Sequence, residues 1–363
     1  MATTTPVRPT STASILRGQR LPRWAVPAVG LGALVLARVL FGLTGNHSTL
    51  GFVVAAGLLF AVALTAVSFA FEGPRQARDR LATTAVYTAF VLAMAPLASI
   101  AAYTIARGVK RLDGDFLWSS MFLISPSGPG GGAYHAIVGS LLVTAITAVI
   151  AVPLGVLTAI YLVEYGEGRR LARAISFFVD VMTGVPSIVA GLFVFTFWML
   201  VLGFQQSGFA GALSLVILML PVVVRSTEEM LKLVPQELRE ASYALGIPRW
   251  KTITRVVLPT AFGGIVTGVM LGIARAMGET APLLLLVGTQ VRINFDPFGF
   301  SHTESNPIST LPTYIFGQLT SAAGSTTAPA FDRAWAAALV LIILIMLLNL
   351  VARIAARFTK ARG

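Results

Sequence analysis

The chain has 363 residues, of which 56% are hydrophobic and only 12% are charged, and its mean hydropathy is +0.81. About a quarter of the residues of a soluble domain are charged, so this composition indicates a membrane protein with several spans. The net charge of +12 comes mostly from loop residues, which favours a role in membrane orientation over nucleic-acid binding. The absence of cysteine excludes disulfides, thiolate metal sites and thiol chemistry.

Two further classes of site are not expected in this chain. The three histidines are scattered and form no metal-ligand spacing, so no metal site is predicted. No Gly-x-x-x-x-Gly-Lys-Ser/Thr run occurs, so the chain carries no nucleotide site of the Walker type, and no cofactor is predicted.

Apolar runs of about 20 residues, the length that crosses a bilayer as a helix, recur along the chain. The predicted fold class is therefore all-α, a polytopic membrane protein with about eight transmembrane helices. The predicted spans lie at 25–44, 49–71, 82–106, 135–163, 184–203, 209–225, 261–288 and 334–355. Residues 1–23, which precede them, are rich in Thr, Ser, Pro and Arg and are expected to form a disordered cytoplasmic tail.

The basic residues predict the orientation of these spans. With the N-terminus inside, 20 of the 27 basic residues are cytoplasmic: Arg8, Arg17, Arg20, Arg23, Arg75, Arg78, Arg80, Arg169, Arg170, Arg173, Arg225, Lys232, Arg239, Arg249, Lys251, Arg255, Arg353, Arg357, Lys360 and Arg362. Five are outside: Arg107, Lys110, Arg111, Arg292 and Arg333. This excess of positive charge on one side predicts that both termini are cytoplasmic.

Three segments between the spans have features of their own. On the outer side, 107–134 and 289–333 are long, and each is either a simple linker or a contact for an external partner. Residues 167–180 are amphipathic at helical spacing, which favours a helix at the cytoplasmic interface.

Arg275 and Glu279 lie near the middle of the seventh predicted span, and their spacing of four puts them on one face of a continuous helix. A charged side chain at the bilayer centre costs roughly 2.5–3.5 kcal/mol on insertion scales, so such residues usually serve transport. The planar guanidinium of Arg275 can donate several hydrogen bonds to a tetrahedral oxyanion. Glu279 would hold Arg275 in place or compete with the anion, and Thr280 adds a hydroxyl. A purely structural ion pair is the alternative.

Three other residues are weaker candidates. Pro186 and Ser187 open the fifth predicted span, and they are either an ordinary helix start or part of a gate. Arg225 ends the sixth predicted span, and its position alone favours an anchor at the cytoplasmic surface.

The polar loop between the sixth and seventh predicted spans has the pattern of two short helices separated by a glycine. Glu240 and Ala241 lie in the first helix, Gly246 ends it, and Leu258 and Pro259 lead into the next span. A solvated helix with a glycine cap explains each residue singly. The whole pattern on the charged side of a membrane indicates a docking surface.

The spacing in this loop resembles the loop by which permease subunits of bacterial ABC importers engage their ATPase partners. That pattern is Glu-Ala-Ala, three residues, Gly, nine residues, Ile, one residue and Leu-Pro, and here Ser242 replaces the second Ala and Val256 the Ile. Further stretches over roughly 81–360 resemble the phosphate-specific PstA type of this family. They are Ala136–Leu157, Tyr161–Gly166, Gly184–Leu192, Ala274–Leu284, Leu311–Phe316 and the tail around Ala334–Arg353. The run Gly-Glu-Thr-Ala-Pro-Leu-Leu is the most discriminating of them.

The resemblance implies a MetI-like permease core of six helices at 81–360, with a coupling loop at 227–260. It implies a homologous second permease of the PstC type, two ATPase subunits of the PstB type and an external phosphate-binding protein of the PstS type. It implies that Arg275 and Glu279 lie on the substrate pathway, and it favours the same role for Arg225. Residues 24–72 depart from the family as an extra N-terminal transmembrane hairpin.

These observations predict a permease subunit of an ATP-driven importer of inorganic phosphate in a bacterial inner membrane. The chain itself is predicted not to be an enzyme, with ATP hydrolysis in separate subunits. A permease for another oxyanion, such as sulfate or molybdate, stays open. A secondary transporter with Glu279 as its proton site would leave the coupling loop unexplained and tends to show internal repeats, which the sequence lacks. An intramembrane enzyme would need a catalytic constellation that the sequence does not contain.

Overall fold

The computed structural model describes residues 21–22, 24–44, 48–125, 128–324 and 328–360. This part of the chain is mostly helical, and its only strand-like contact is a single bridge between Ser207 and Asn306, so the all-α prediction is confirmed. Nearly all of the predicted tail, 1–23, lies outside the described residues. The chain divides into two units, residues 1–102 and 103–363.

The first unit contains α1 (Ala25–Thr44), α2 (Thr49–Glu72) and most of α3 (Pro74–Gly108). α1 and α2 pack side by side, and Gly73, with φ of 92°, makes the turn between α2 and α3. Beside this turn the buried carboxylate of Glu72 accepts hydrogen bonds of 2.6 and 2.8 Å from Arg80. The third predicted span, 82–106, is therefore part of a longer helix whose first turns carry paired charges.

The second unit is a bundle built around α5, α8 and α11. Its helices are α4 (Gly114–Trp118), α5 (Tyr134–Ile160), α6 (Arg170–Thr183), α7 (Ser187–Val194), α8 (Gly208–Lys232), α9 (Gln236–Ala244), α10 (Arg249–Thr252), α11 (Leu258–Met277), α12 (Ala281–Leu286), α13 (Leu311–Ser321) and α14 (Pro329–Lys360). α5 packs along α8, while α11 packs on both α8 and α14.

Small residues bring these helices close together, as is common where helices associate in membranes. A Cβ atom at Gly155 of α5 would lie 2.7 Å from Cγ1 of Val223 on α8. One at Gly268 of α11 would overlap Oγ of Ser226, also on α8. The resulting apolar core includes Leu215 of α8 and Ala276 near the end of α11 and so positions the end of α11.

Seven helices in the described part of the chain are long and apolar enough to cross a membrane. The fifth predicted span, 184–203, is not among them. α6 and α7 are bent by 108° at the break between them, and α7 continues as a π-helix over Phe195–Val201. Counted as one broken span, this pair gives up to eight, the predicted number.

The seventh predicted span, 261–288, is broken rather than continuous. α11 ends at Met277, Gly278 takes its C-cap position, and α12 begins at Ala281. Pro282 has no N–H to donate to residue 278, and its ring opposes a helix through the break. The prediction that Arg275 and Glu279 share one helix face is therefore wrong.

The described parts of the two long segments at 107–134 and 289–333 contact each other. The guanidinium of Arg292 lies over the ring of Phe122, 4.1 Å from its centroid. The buried Arg333 donates to the carbonyls of Gly128 and Gly130 at 2.7 and 3.0 Å. These contacts hold the two segments together at one end of the bundle, where they form one surface.

Candidate transport site

Arg275 lies in the last turn of α11 and is exposed, while Ala276 and Met277 beside it are buried. Within the part of the chain that the structure describes, its side chain makes no hydrogen bond or ion pair. An unpaired guanidinium is costly in an apolar environment, so a group of opposite charge at this position is stabilising. The arrangement therefore suits an anion that binds transiently.

Glu279 and Thr280 lie in the break between α11 and α12, and both are half-buried. The backbone N–H of Glu279 donates to the carbonyl of Ala276 at 3.2 Å. Among the described residues its carboxylate forms no ion pair, so it does not hold Arg275 in place here. The break instead separates the two charges and leaves both side chains free to meet other groups.

The interior behind Arg275 is closely packed. The cavity there has a volume of about 10 Å³, which is room for about one water molecule. It is lined by Ser140, Val143, Thr144, Leu215, Ala276, Met277, Leu283 and Thr310. A larger cavity, of about 1100 Å³, lies in the first unit and is lined by none of the predicted site residues. A tetrahedral anion that reaches Arg275 therefore approaches over the exposed surface of α11.

Arg225, on α8, differs from Arg275 because its guanidinium is already bound within the chain. Its Nη1 donates to Glu228 at 2.6 Å, and its Nη2 pairs with the carboxylate of Asp180 on α6. Its Nη2 also donates to the backbone carbonyl and the hydroxyl of Ser176 at 3.1 Å each. Lys232 pairs with the other oxygen of Glu228 at 2.7 Å. This network ties α6 to α8, which a surface anchor alone would not require.

The gate candidates lie at the bend between α6 and α7. Pro186 is exposed and occupies the N-cap position of α7, and Ser187 is half-buried in its first turn. One turn further on, Gly191 packs directly on Pro282 of α12. The bend at Pro186 and the break after Arg275 therefore belong to helices that touch.

The predicted coupling loop folds as a helix–turn–helix. α9 ends just before Gly246, whose φ of 73° is in the left-handed region, and α10 runs on as a π-helix over Ile253–Val257 into α11. Glu240 and Ala241 are exposed on α9, Leu258 is half-buried, and Pro259 is exposed at the start of α11.

Apolar side chains on the same helix–turn–helix also face outward. They are Leu238, Tyr243, Leu245 and Trp250, with exposed fractions of 41%, 39%, 80% and 58%. Grouped apolar side chains on a polar element are typical of a protein-interaction surface.

Sequence reasoning missed the contacts that hold this element in place. Arg239 is buried and forms an ion pair of 2.9 Å with Glu164, at the end of α5. The hydroxyls of Ser242 and Thr252 lie 2.8 Å apart and join α9 to α10. Ser242 is also the residue that departs from the family's Glu-Ala-Ala pattern. The only available signal for Glu164 is an acidic residue directly after the apolar run 135–163.

Comparisons with known proteins agree in the kind of protein they find. Residues 151–362 match the family model described as the binding-protein-dependent transport system inner membrane component. The chain is 50% identical over 289 residues to the phosphate transport system permease protein PstA 1 of Mycobacterium tuberculosis (strain CDC 1551 / Oshkosh), covering 79% of this chain and 91% of that protein. It is 43% identical over 230 residues to the phosphate transport system permease protein PstA of Yersinia pestis, covering 63% and 74%.

Solved structures support the same fold. A chain of the crystal structure of a bacterial alginate ABC transporter in complex with an alginate pentasaccharide-bound periplasmic protein has a TM-score of 0.52 to this chain. It covers 78% of this chain and 96% of its own length, at 16% identity. At that identity the similarity is one of fold alone.

Proposed function

Since the chain belongs to the binding-protein-dependent transport permeases, and among them to the PstA family, we propose that it is the permease subunit through which an ATP-driven importer moves inorganic phosphate across a bacterial inner membrane. The identity of 50% to a PstA protein over most of both chains supports the substrate. The structural observation that carries the proposal is the exposed guanidinium of Arg275, unpaired among the described residues, at the end of α11.

In this proposal phosphate passes Arg275 on the surface of the chain. The guanidinium donates two hydrogen bonds at once to a tetrahedral oxyanion, and Thr280 can donate a third. Glu279, half-buried beside the break, repels the anion and keeps its residence short. Arg225 acts indirectly by holding α6 against α8, since its donors already bind Asp180, Glu228 and Ser176.

A second permease subunit of the PstC type completes the pathway. The cavity behind Arg275 is about 10 Å³ and cannot admit phosphate, so the surface of α11 needs a partner to enclose the route. A homologous subunit with its own pathway helix would supply the facing wall.

Two ATPase subunits of the PstB type provide the energy, and ATP hydrolysis takes place in them. One docks on the helix–turn–helix of this chain, where Leu238, Leu245 and Trp250 offer exposed apolar contacts around Glu240. Gly246 sets the angle between α9 and α10, and Leu258 and Pro259 pass their movement into α11.

An external phosphate-binding protein of the PstS type delivers the substrate. The surface formed by 107–134 and 289–333 is the proposed landing site, because Trp118 and Phe295 are 75% and 66% exposed on it. This placement requires both termini to be cytoplasmic, as the basic residues predict. Residues 24–72 are an addition to the permease core.

Two other functions are the alternatives to be tested. Sulfate and molybdate are also tetrahedral oxyanions, and Arg275 alone does not distinguish them from phosphate. An ion-coupled secondary transporter with Glu279 as the proton site is less favoured, because the helix–turn–helix with its exposed apolar side chains would have no partner.

The test is uptake of labelled phosphate by cells that lack other phosphate importers, with the membrane level of the chain measured in parallel. Arg275→Gln should abolish uptake, while the amount of the chain in the membrane should stay normal, since loss of a charge does not hinder insertion. Arg275→Lys should keep part of the activity because it retains the positive charge. It loses the planar pair of donors of the guanidinium, and one charge-assisted hydrogen bond is worth about 1.5–3 kcal/mol, so the rate should fall roughly ten- to a hundredfold.

Arg38→Gln is the matched control, because Arg38 is an exposed arginine of α1 outside the permease core. Its uptake should equal that of the unaltered chain. Equal uptake by Arg275→Gln and Arg38→Gln would contradict the proposed pathway. Competition by unlabelled sulfate and molybdate identifies the oxyanion, and a pH dependence of uptake that disappears in Glu279→Gln would favour the proton-coupled alternative.

A further inference from the structure

One buried arginine joins three parts of the second unit. Nη1 of Arg239 on α9 donates to the carbonyl of Val234 at 2.7 Å, and its Nη2 donates to the carbonyl of Leu231 at 2.9 Å. Its Nη2 and Nε also donate to Oε1 of Glu164 at 2.9 and 3.2 Å. We call this arrangement the Arg239 joint: Arg239, Glu164 and the two carbonyls. It connects α9 to the end of α8 and to the end of α5.

Glu164 is a buried carboxylate in apolar surroundings. It lies on the π-helical turn Tyr161–Tyr165 that continues α5, and it is 3% exposed. Its neighbours Leu162 and Val163 pack into an apolar cluster. A carboxylate in such surroundings is stable only with a partner, so it holds the Arg239 guanidinium in one position.

α9 has few other attachments. Of its nine residues only Arg239 and Ser242 are buried, and Ser242 binds Thr252 within the same helix–turn–helix. The opposite side of α9 is exposed. A force applied to that side therefore has a direct path through Arg239 to the ends of α5 and α8.

The joint leads toward Arg275 through packed helices. α5 and α8 pack along each other, and the core between them includes Ala276, the neighbour of Arg275. A shift of the ends of α5 and α8 therefore acts on the end of α11.

We propose that Arg239 and Glu164 are positioning residues that transmit the movement of α9 to α5 and α8, and so couple ATP hydrolysis to the exposure of Arg275. This inference rests on the proposed function, since it requires an ATPase docked on α9. A hydrogen-bonded ion pair suits the task because it fixes direction as well as distance.

The experiment uses the assembled transporter in proteoliposomes and measures phosphate transported per ATP hydrolysed. Glu164→Gln and Arg239→Lys should keep the ATPase bound and hydrolysing, while phosphate per ATP falls about tenfold or more, as expected for a lost charge-assisted hydrogen bond. The control is Glu72→Gln, which breaks a buried pair of the same chemistry in the first unit, where the Glu72 side chain is 1% exposed. It should leave phosphate per ATP unchanged.

Two further measurements distinguish a pair that transmits movement from one that only fills space in the interior. The double variant Glu164→Leu/Arg239→Leu replaces the pair by apolar groups, which a protein interior often tolerates. It should still be uncoupled. Spin labels at Glu167 and Glu237, both exposed, should give the same narrow distance distribution with and without ATP in the unaltered chain. In Glu164→Gln the distribution should be broader.

Normal phosphate per ATP in the double variant, or identical distance distributions in both chains, would overturn the inference. So would a loss of coupling in Glu72→Gln equal to that in Glu164→Gln. Failure of the proposed function would be seen differently, because the unaltered chain would then bind no ATPase or transport no phosphate.

Discussion

Gly191 of α7 and Pro282 of α12 are in direct contact: a Cβ atom at Gly191 would lie 2.7 Å from the Cα of Pro282. Pro282 follows closely on the break that holds Glu279 and Thr280, and Gly191 follows closely on the bend at Pro186. The only atom small enough for this position is hydrogen. The two interrupted spans of the bundle are therefore in close contact at this point, with no room for a side chain between them.

Gly191→Ala should separate α7 from α12 and impair transport. Extra atoms in a packed interior typically cost about 1–3 kcal/mol, because the backbone on the other side cannot rotate away. Thermal unfolding of the purified chain in detergent and phosphate uptake in cells measure the two effects. Gly263→Ala is the control, since nothing lies within 4 Å of a Cβ atom there. Equal melting temperatures and equal uptake for both variants would show that the contact between Gly191 and Pro282 can accommodate a methyl group.

Gly246→Val should weaken docking of the ATPase. The φ of 73° is costly for a residue with a branched side chain, by roughly 1–2 kcal/mol, and no neighbouring atom is within reach of the new group. The effect is therefore one of backbone conformation, and Gly246→Asn should be close to normal because asparagine tolerates the left-handed region. Co-purification of the ATPase with each variant is the measurement. Wild-type recovery and full uptake with valine would refute the prediction.

Much of the fold could be predicted because apolar length is a local property. Runs of about 20 apolar residues place helices without knowledge of their neighbours. The same signal hid the break at 278–280, since Leu283 and the residues after it continue the apolar run. Gly278 and Pro282 are the local cues for the break, and the continuous apolar run around them outweighs both.

The site could be predicted only where a residue is unusual on its own. Arg275 stands out as a charge inside an apolar run. Arg239 does not, because it is one of many basic residues in a loop, and its partner Glu164 is 75 positions away. The position of Arg225 alone favours an anchor for the same reason, since Asp180 and Ser176 meet it only in the folded bundle.

The absence of cysteine allows a direct test of orientation by single-cysteine labelling. Leu245 and Phe295 are 80% and 66% exposed and lie on opposite predicted sides of the membrane. A membrane-impermeant maleimide should label Phe295→Cys in intact cells and Leu245→Cys only after permeabilisation. The unaltered chain is the blank. Labelling of Leu245→Cys from outside would reverse the topology and remove the helix–turn–helix from the reach of an ATPase.

The pair Ser242 and Thr252 gives a test of how firmly α9 is joined to α10. Their hydroxyls are buried and 2.8 Å apart, so Ser242→Ala leaves the Thr252 hydroxyl without its partner. A buried polar group left unpaired costs about 1–3 kcal/mol, and removal of both partners costs less. The single variant should therefore bind the ATPase more weakly than the double variant Ser242→Ala/Thr252→Val, although the double variant carries one more substitution. A double-mutant cycle on ATPase affinity measures the coupling between the two sites. Additive effects would mean that the hydrogen bond does not set the angle of α9.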